Sequence, residues 1–197
     1  MADQPSPSSR SRPTLWTGQA THFIGLPLLL LLTWIAWQFV GNPSPVLFWI
    51  AIAAPIIHQI FVWFTWRLEL QASSTRATLT FPVYLAIFFA LFASRFVSLL
   101  TLAWVTRGSL QLPIIPQVIL TTLCTVPGVY AMYSVVRYFG FARAAGADHF
   151  DPRYRDMPLV RQGIFRFTSN GMYLYAFLLF RAIAFAFNSL AATIVAA

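Results

Sequence analysis

Residues 81–105 read FPVYLAIFFALFASRFVSLLTLAWV, a run in which the only formal charge is Arg95. A helix rises 1.5 Å per residue and the hydrocarbon of a bilayer is about 30 Å thick, so this run is long enough to span it. No water there would satisfy the open edges of a strand, so a helix is the form it must take. Working outward, comparable runs occupy 23–40, 46–66 and 117–138. Composition agrees: 58% of the 197 residues are hydrophobic and 9% are charged, against the roughly 25% charged expected of a soluble domain. The fold class expected is all-α, a polytopic transmembrane helix bundle in the membrane.

A fifth apolar stretch covers 172–187, and Asn188-Ser189 then reads as a turn carrying a helix N-cap. Residues 190–197 begin a further helix of about two turns, too short to cross a bilayer. The expectation is therefore about five spans plus a C-terminal helical stub. Residues 172–197 as one oversized helix, or a chain that has lost a C-terminal segment, are the other readings, and the last is favoured. The domain plan is a disordered polar tail over 1–21, a four-helix region over 22–138, a polar loop over 139–169 and a C-terminal helical part over 170–197. The run at 23–40 is longer than a signal-peptide core and no small-x-small site follows it, so it reads as a retained span.

All thirteen basic residues are Arg, and the net charge is +8. They lie between apolar runs rather than along one soluble face, which argues for membrane topology and against a nucleic-acid partner. Connections carry two Arg in the tail, none in the first turn, two in the second loop, one in the third and five between 139 and 169. The positive-inside rule then places the N-terminus and the 139–169 loop in the cytoplasm. Trp66 beside Arg67 and Trp104 near Arg107 stand where an aromatic belt belongs. The lone Cys124 reads as a buried, inert thiol. No Walker loop, paired Cys, His-x-x-x-His or Gly-x-Ser-x-Gly is present, so ATPase, metal-site and serine-hydrolase chemistry have no residues to rest on.

Chemistry-bearing residues concentrate between 158 and 173, PLVRQGIFRFTSNGMY. Gly163 would let backbone approach a ligand closely, while Val160, Ile164 and Phe165 could supply an apolar shelf. Arg166 could hold a carboxylate or phosphate bidentately. Asn170-Gly171 opens the next helix, whose positive end favours an anionic group. Each residue also has a plainer reading: Gly163 as a turn former, Phe165 and Phe167 as interfacial side chains, Arg161 and Arg166 as topological anchors.

This segment resembles the cofactor segment of the integral-membrane methyltransferases, among them the phospholipid N-methyltransferases and the isoprenylcysteine carboxyl methyltransferases. Leu159, Val160, Gly163, Phe165, Arg166, Asn170 and Tyr173 match that family's pattern of Leu-Val, then Gly-x-aromatic-Arg, then Asn-Pro-x-Tyr. Gly171 stands where the family usually has Pro, and its later Glu-rich element has no counterpart, since no acidic residue follows Asp156. The resemblance implies S-adenosylmethionine (AdoMet) as cofactor, bound by Leu159, Val160, Gly163, Phe165, Asn170 and Tyr173, to which the apolar shelf adds Ile164, and a membrane lipid or lipidated substrate as partner. Arg166 and His149 are the candidate catalytic residues, His149 because an amine acceptor must lose a proton. His149 is the best single base by its near-neutral reference pKa, and Asp148, Asp151 and Asp156 share its loop. The plainer reading is that these Asp residues balance Arg143, Arg153 and Arg155. Headgroup amines, prenylcysteine carboxylates and small hydrophobic acceptors all demand the same kind of slot.

His58, Arg95 and Arg181 fall inside apolar runs, where ionisable groups are usually paired or functional. Positions 58, 62, 66 and 69 share one helical face, which could line a cavity. His58 and Arg95 are the candidate substrate or lipid ligands, and a lipid phosphate or the AdoMet carboxylate would satisfy Arg95 and Arg181. The alternatives are a His58 that donates to a carbonyl freed by the Pro55 kink, and arginines that snorkel, the favoured reading for Arg181. Two other functional classes fit the pattern: a non-catalytic membrane scaffold that keeps the fold, and a membrane reductase of the sterol-reductase type, for which no nicotinamide site is evident.

Overall fold

The computed structural model describes residues 16, 18–41, 43–72 and 79–197. Of the expected tail, residues 1–15 and 17 lie outside the described set, as do Asn42 of the first turn and residues 73–78, with Arg76, of the second loop. Every regular element among the described residues is helical. The long helices are α1 (Ala20–Phe39), α2 (Pro45–Ala72), α3 (Phe81–Val105) and α4 (Ile114–Ser134), the last continued by a π-helical turn over Val135–Phe139. These four are long and apolar enough to cross a membrane. The fifth apolar stretch is shorter, a π-helical turn over Met172–Ala176 leading into α5 (Leu178–Ala186).

Asn188 ends that helix with a positive φ of 52°, so α5 and α6 (Leu190–Ala196) are separate rather than one oversized helix. The N-cap at Ser189 is formed as the sequence suggests, its side chain accepting from Ala192 N at 3.1 Å. Asn188 and Leu112 exchange side-chain and backbone bonds of 2.9 and 3.0 Å, and Ser189 Oγ lies 2.6 Å from Thr106 Oγ1. These contacts fasten the α5–α6 turn to the α3–α4 connection.

Lipid tails are as apolar as Leu, so helices in a membrane associate by close packing and interhelical hydrogen bonds rather than by escape from water. The core follows that rule with small residues. Ala103, Ala184 and Ala192 are fully buried beside Leu99 and Phe180, where α3, α5 and α6 meet. Ala191 joins Trp37, Phe48, Ala51 and Leu102 in a second cluster, which places α6 among α1, α2 and α3. At Gly128 a Cβ would stand 2.8 Å from Leu179, so α4 and α5 approach over a missing side chain. Large apolar side chains cover the outside instead: Ile24 is 73% exposed, and Leu29 and Val97 also face out.

Candidate functional site

The 139–169 region is built from short turns pinned by cations. Gly140 N closes the α4 π turn on Val135 O at 2.7 Å, and one-turn helices follow at Phe141–Ala144, Ala147–Phe150 and Pro152–Arg155. Arg143 donates to the carbonyls of Met157 and Pro158. Arg155 donates to those of Asp148 and His149. Asp151 caps the third turn through Arg153 N at 2.9 Å and holds the Arg153 guanidinium at 2.7 Å. Of the expected Asp–Arg balance this pair is formed, while Arg143 and Arg155 serve backbone carbonyls.

Trp66, expected as an interfacial anchor, also ties this loop to the bundle. Its Nε1 donates to Tyr84 Oη at 2.8 Å, and Tyr84 donates onward to Ala145 O at 2.7 Å. Its ring stacks on His149 with centroids 4.2 Å apart and planes 20° from parallel. Gly146, at φ +87°, lies so close that any Cβ there would collide with the indole. Trp104 is exposed, with the Arg107 guanidinium 4.9 Å from its ring centroid. His149 is consequently half-buried. Desolvation first, then Arg155 and Arg67, push its imidazole below the ordinary 6.5, with Asp148 opposing. The imidazole is neutral near pH 7 and able to take a proton.

The 158–173 run is seated by Gly163. Its φ of +59° is in the left-handed region, and a Cβ would strike Ser134 Oγ. Ser134 Oγ uses that closeness to accept from Ile164 N at 3.0 Å while donating to Tyr130 O at 2.8 Å. Ile164 and Phe165 turn inward against Ala131 and Val135, with Val160 packed beside them, so these side chains anchor the segment. The outward apolar surface comes from Leu159, Phe167 and Tyr173. Gly171 lies against Ile164, where a Cβ would be 3.2 Å from the Ile164 carbonyl, a fit that suits Gly in place of Pro. Asn170 is exposed, its N–H donating to Thr168 Oγ1 at 3.2 Å. Arg166 is exposed as well, its guanidinium 4.7 Å over the Phe167 ring and without an ion pair among the described residues.

Two cavities run into the bundle from this region. The inner one, of about 170 Å³, is walled by His58, Val62 and Trp66 of α2, so three of the four positions expected on one face do line a cavity. Phe88, Phe92 and Arg95 of α3 and Met172, Tyr173 and Phe177 from the C-terminal part complete much of the wall. The outer cavity, of about 380 Å³, lies between Leu99, Leu174, Leu178 and Val195, and shares Arg95, Tyr173 and Phe177 with the inner one. Both π turns contribute to the inner wall, through Val135 at the first and Met172, Tyr173 and Ala176 at the second. Such one-turn widenings are frequent at functional sites.

Arg95 Nη1 lies 3.4 Å from His58 Nδ1, and its guanidinium sits 5.2 and 5.1 Å from the ring centroids of Phe177 and Phe180. Its Nε and His58 Nε2 are buried with no partner among the described residues. The carbonyl partner considered for His58 is not what it meets. Arg181 is better supplied, donating to Ala196 O at 3.3 Å and Ala197 O at 2.9 Å. Among the described residues no group of His, Cys, Asp and Glu is arranged to hold a metal ion.

The structure thus brings Tyr173, His58 and Arg95 to one cavity system, sets His149 at its Trp66 end, and places Leu159, Arg166 and Asn170 on the outer side of the loop run. Tyr84 and Ser134 escape sequence reasoning. Each is an ordinary polar residue in an apolar run, and only the second hydrogen bond it makes to the loop distinguishes it. No curated protein and no solved structure matches this chain. Residues 116–197, from the start of α4 through α6, match the phospholipid methyltransferase family model, a span that contains the 158–173 run.

Proposed function

We propose that this protein transfers a methyl group from AdoMet to a lipid or other membrane-dissolved acceptor at the cytoplasmic face. The observation that carries the reading is that residues of the family-matched part, Met172, Tyr173 and Phe177, share one cavity with His58, Trp66 and Arg95 of the preceding spans. A soluble cofactor at the loop and an apolar acceptor between the helices would meet in such an arrangement. Five Arg in the 139–169 loop support its cytoplasmic placement.

The residues of the run fit the cofactor in kind. AdoMet carries a carboxylate and an adenine; Arg166 offers an unpaired guanidinium, and Leu159, Phe167 and Tyr173 offer exposed apolar surface. When bound, AdoMet supplies an electrophilic methyl group. Arg166 would hold a carboxylate, Gly163 fixes the backbone of the run against α4, and the cavity wall keeps water from the reacting end of the acceptor. Such alignment alone supplies up to roughly 7–11 kcal/mol of barrier reduction in favourable systems. Where the acceptor carries a proton, the neutral imidazole of His149 takes it, and Asp148, 4.0 Å from its Nε2, stabilises the imidazolium so formed.

The test is incorporation of label from methyl-labelled AdoMet into the lipid fraction of membranes that contain the protein, against membranes that lack it. Label that depends on the protein and falls at least tenfold in Arg166→Ala is expected. Protein-independent label would overturn the reading and return the non-catalytic scaffold.

A further inference from the structure

We propose that Arg95 and His58 form a binding site for an oxyanion carried by an amphiphile, with the apolar body of that amphiphile lying in the outer cavity. The inference deepens the functional reading and rests on it in one respect, that the same chamber would hold the acceptor.

Four observations converge on an oxyanion. Arg95 is a guanidinium in the middle of α3, with ten or more residues of apolar helix on either side. It has no carboxylate partner among the described residues, only His58 Nδ1 at 3.4 Å and the faces of aromatic rings. Because Arg is always protonated and only donates, His58 Nδ1 must be the acceptor in that contact, which places the imidazole proton on Nε2. Arg95 Nε and His58 Nε2 are then two buried donors without acceptors, on residues that both line the inner cavity. Donors left unsatisfied at such depth call for an acceptor from outside the chain.

The surroundings select the rest of the molecule. Arg95 stands in the wall of both cavities, so a group bound to it continues into the larger one, whose lining of Leu99, Leu174, Leu178 and Val195 suits an alkyl or isoprenoid chain. Arg181 also stands in the wall of the outer cavity, where its guanidinium is engaged with Ala196 O and Ala197 O. The functional reading already gives the cofactor carboxylate to the exposed Arg166, which leaves Arg95 to a different ligand. Carboxylate and phosphate share the required chemistry; an amine or a simple alcohol does not match a cation and two free donors.

The test uses the full chain in detergent, without AdoMet, and measures by native mass spectrometry the occupancy of four sixteen-carbon probes: hexadecanoate, hexadecyl phosphate, hexadecanol and hexadecylamine. At least tenfold higher occupancy by one or both anions is expected, and which of the two binds names the oxyanion. Arg95→Gln should abolish that preference while leaving hexadecanol retention unchanged. Equal occupancy by all four probes overturns the proposal, as does a preference that survives Arg95→Gln. The comparison of head groups on the unaltered chain stands even where the variant fails to fold. Because no cofactor is present, failure here leaves the methyl-transfer reading untouched, and anion binding by a chain that transfers no methyl group would sink that reading alone.

Discussion

At the loop end of the inner cavity, Trp66, Tyr84 and Ala145 close a chain of hydrogen bonds at 2.8 and 2.7 Å, whereas at the deep end Arg95 and His58 each keep a buried donor unpaired. The first arrangement is architecture. Buried polar groups in a low-dielectric setting are costly unless satisfied, and a satisfied chain rigidifies whatever it joins. It joins α2 and α3 to the loop that carries His149. The second arrangement keeps a charge where insertion alone costs about 2.5–3.5 kcal/mol, without the partners that would make it structural. Within one cavity, completeness of hydrogen bonding separates the residues that hold the fold from the two proposed to meet a ligand.

The strongest way to break that distinction is at Gly163. Gly163→Val forces a Cβ into Ser134 Oγ and a β-branched residue into a positive φ. Overpacking and left-handed strain together should cost about 2–4 kcal/mol, read as a lower unfolding temperature in detergent. An unchanged temperature would mean that the 158–173 run is not held against α4. The same packing makes Gly163 a poor probe of ligand contact, since its loss would act through the fold. At the satisfied end, Tyr84→Phe strands the Trp66 N–H and the Ala145 carbonyl, and should cost about 1–3 kcal/mol. Faster hydrogen exchange in residues 141–155 is the expected sign, and a loop unaffected by the change would refute the latch.

Acid offers a gentler perturbation. The folded-state pKa of His149 is lowered, mainly by burial, so the unfolded chain takes up a proton near pH 6.5 before the folded one does. Its packing on Trp66 is therefore fully stabilising above that pH and is lost progressively below it. Exchange protection of 141–155 should be flat from pH 8 to 7 and fall below 6.5, and His149→Gln should flatten the profile. The smallest effect is expected at Arg153, whose pair with Asp151 is solvent-facing. Arg153→Ala should leave the unfolding temperature unchanged, as exposed ion pairs usually do.

Much of this molecule is legible in its sequence because lipid imposes simple rules. The four spans follow from run length, and the N-cap at Ser189 follows from a hydroxyl just ahead of an apolar run. The face holding His58, Val62 and Trp66 follows from helical period alone. What the sequence does not disclose is partnership across distance. Period shows that position 84 shares a face with other residues of α3, but not that its hydroxyl ends on Ala145, sixty-one residues on. Local pattern likewise cannot tell whether an apolar loop residue points in or out. Ile164 and Phe165 point in because Gly163 approaches Ser134, thirty residues earlier in the chain than Ile164. The resemblance in the 158–173 run was readable from its residue spacing, and the family match extends it from residue 116 to residue 197.

Equilibrium binding of labelled AdoMet to the purified chain in detergent, with Arg166→Ala as control, decides whether the 158–173 run holds the cofactor. Arg166 is exposed and packs on the exposed Phe167 ring alone, so its loss removes a charge-assisted contact worth about 1.5–3 kcal/mol without disturbing the helices. Saturable binding that weakens roughly tenfold or more in the variant is the predicted result. Absence of binding by a folded chain, or binding indifferent to Arg166, would contradict a methyltransferase site on the 158–173 run.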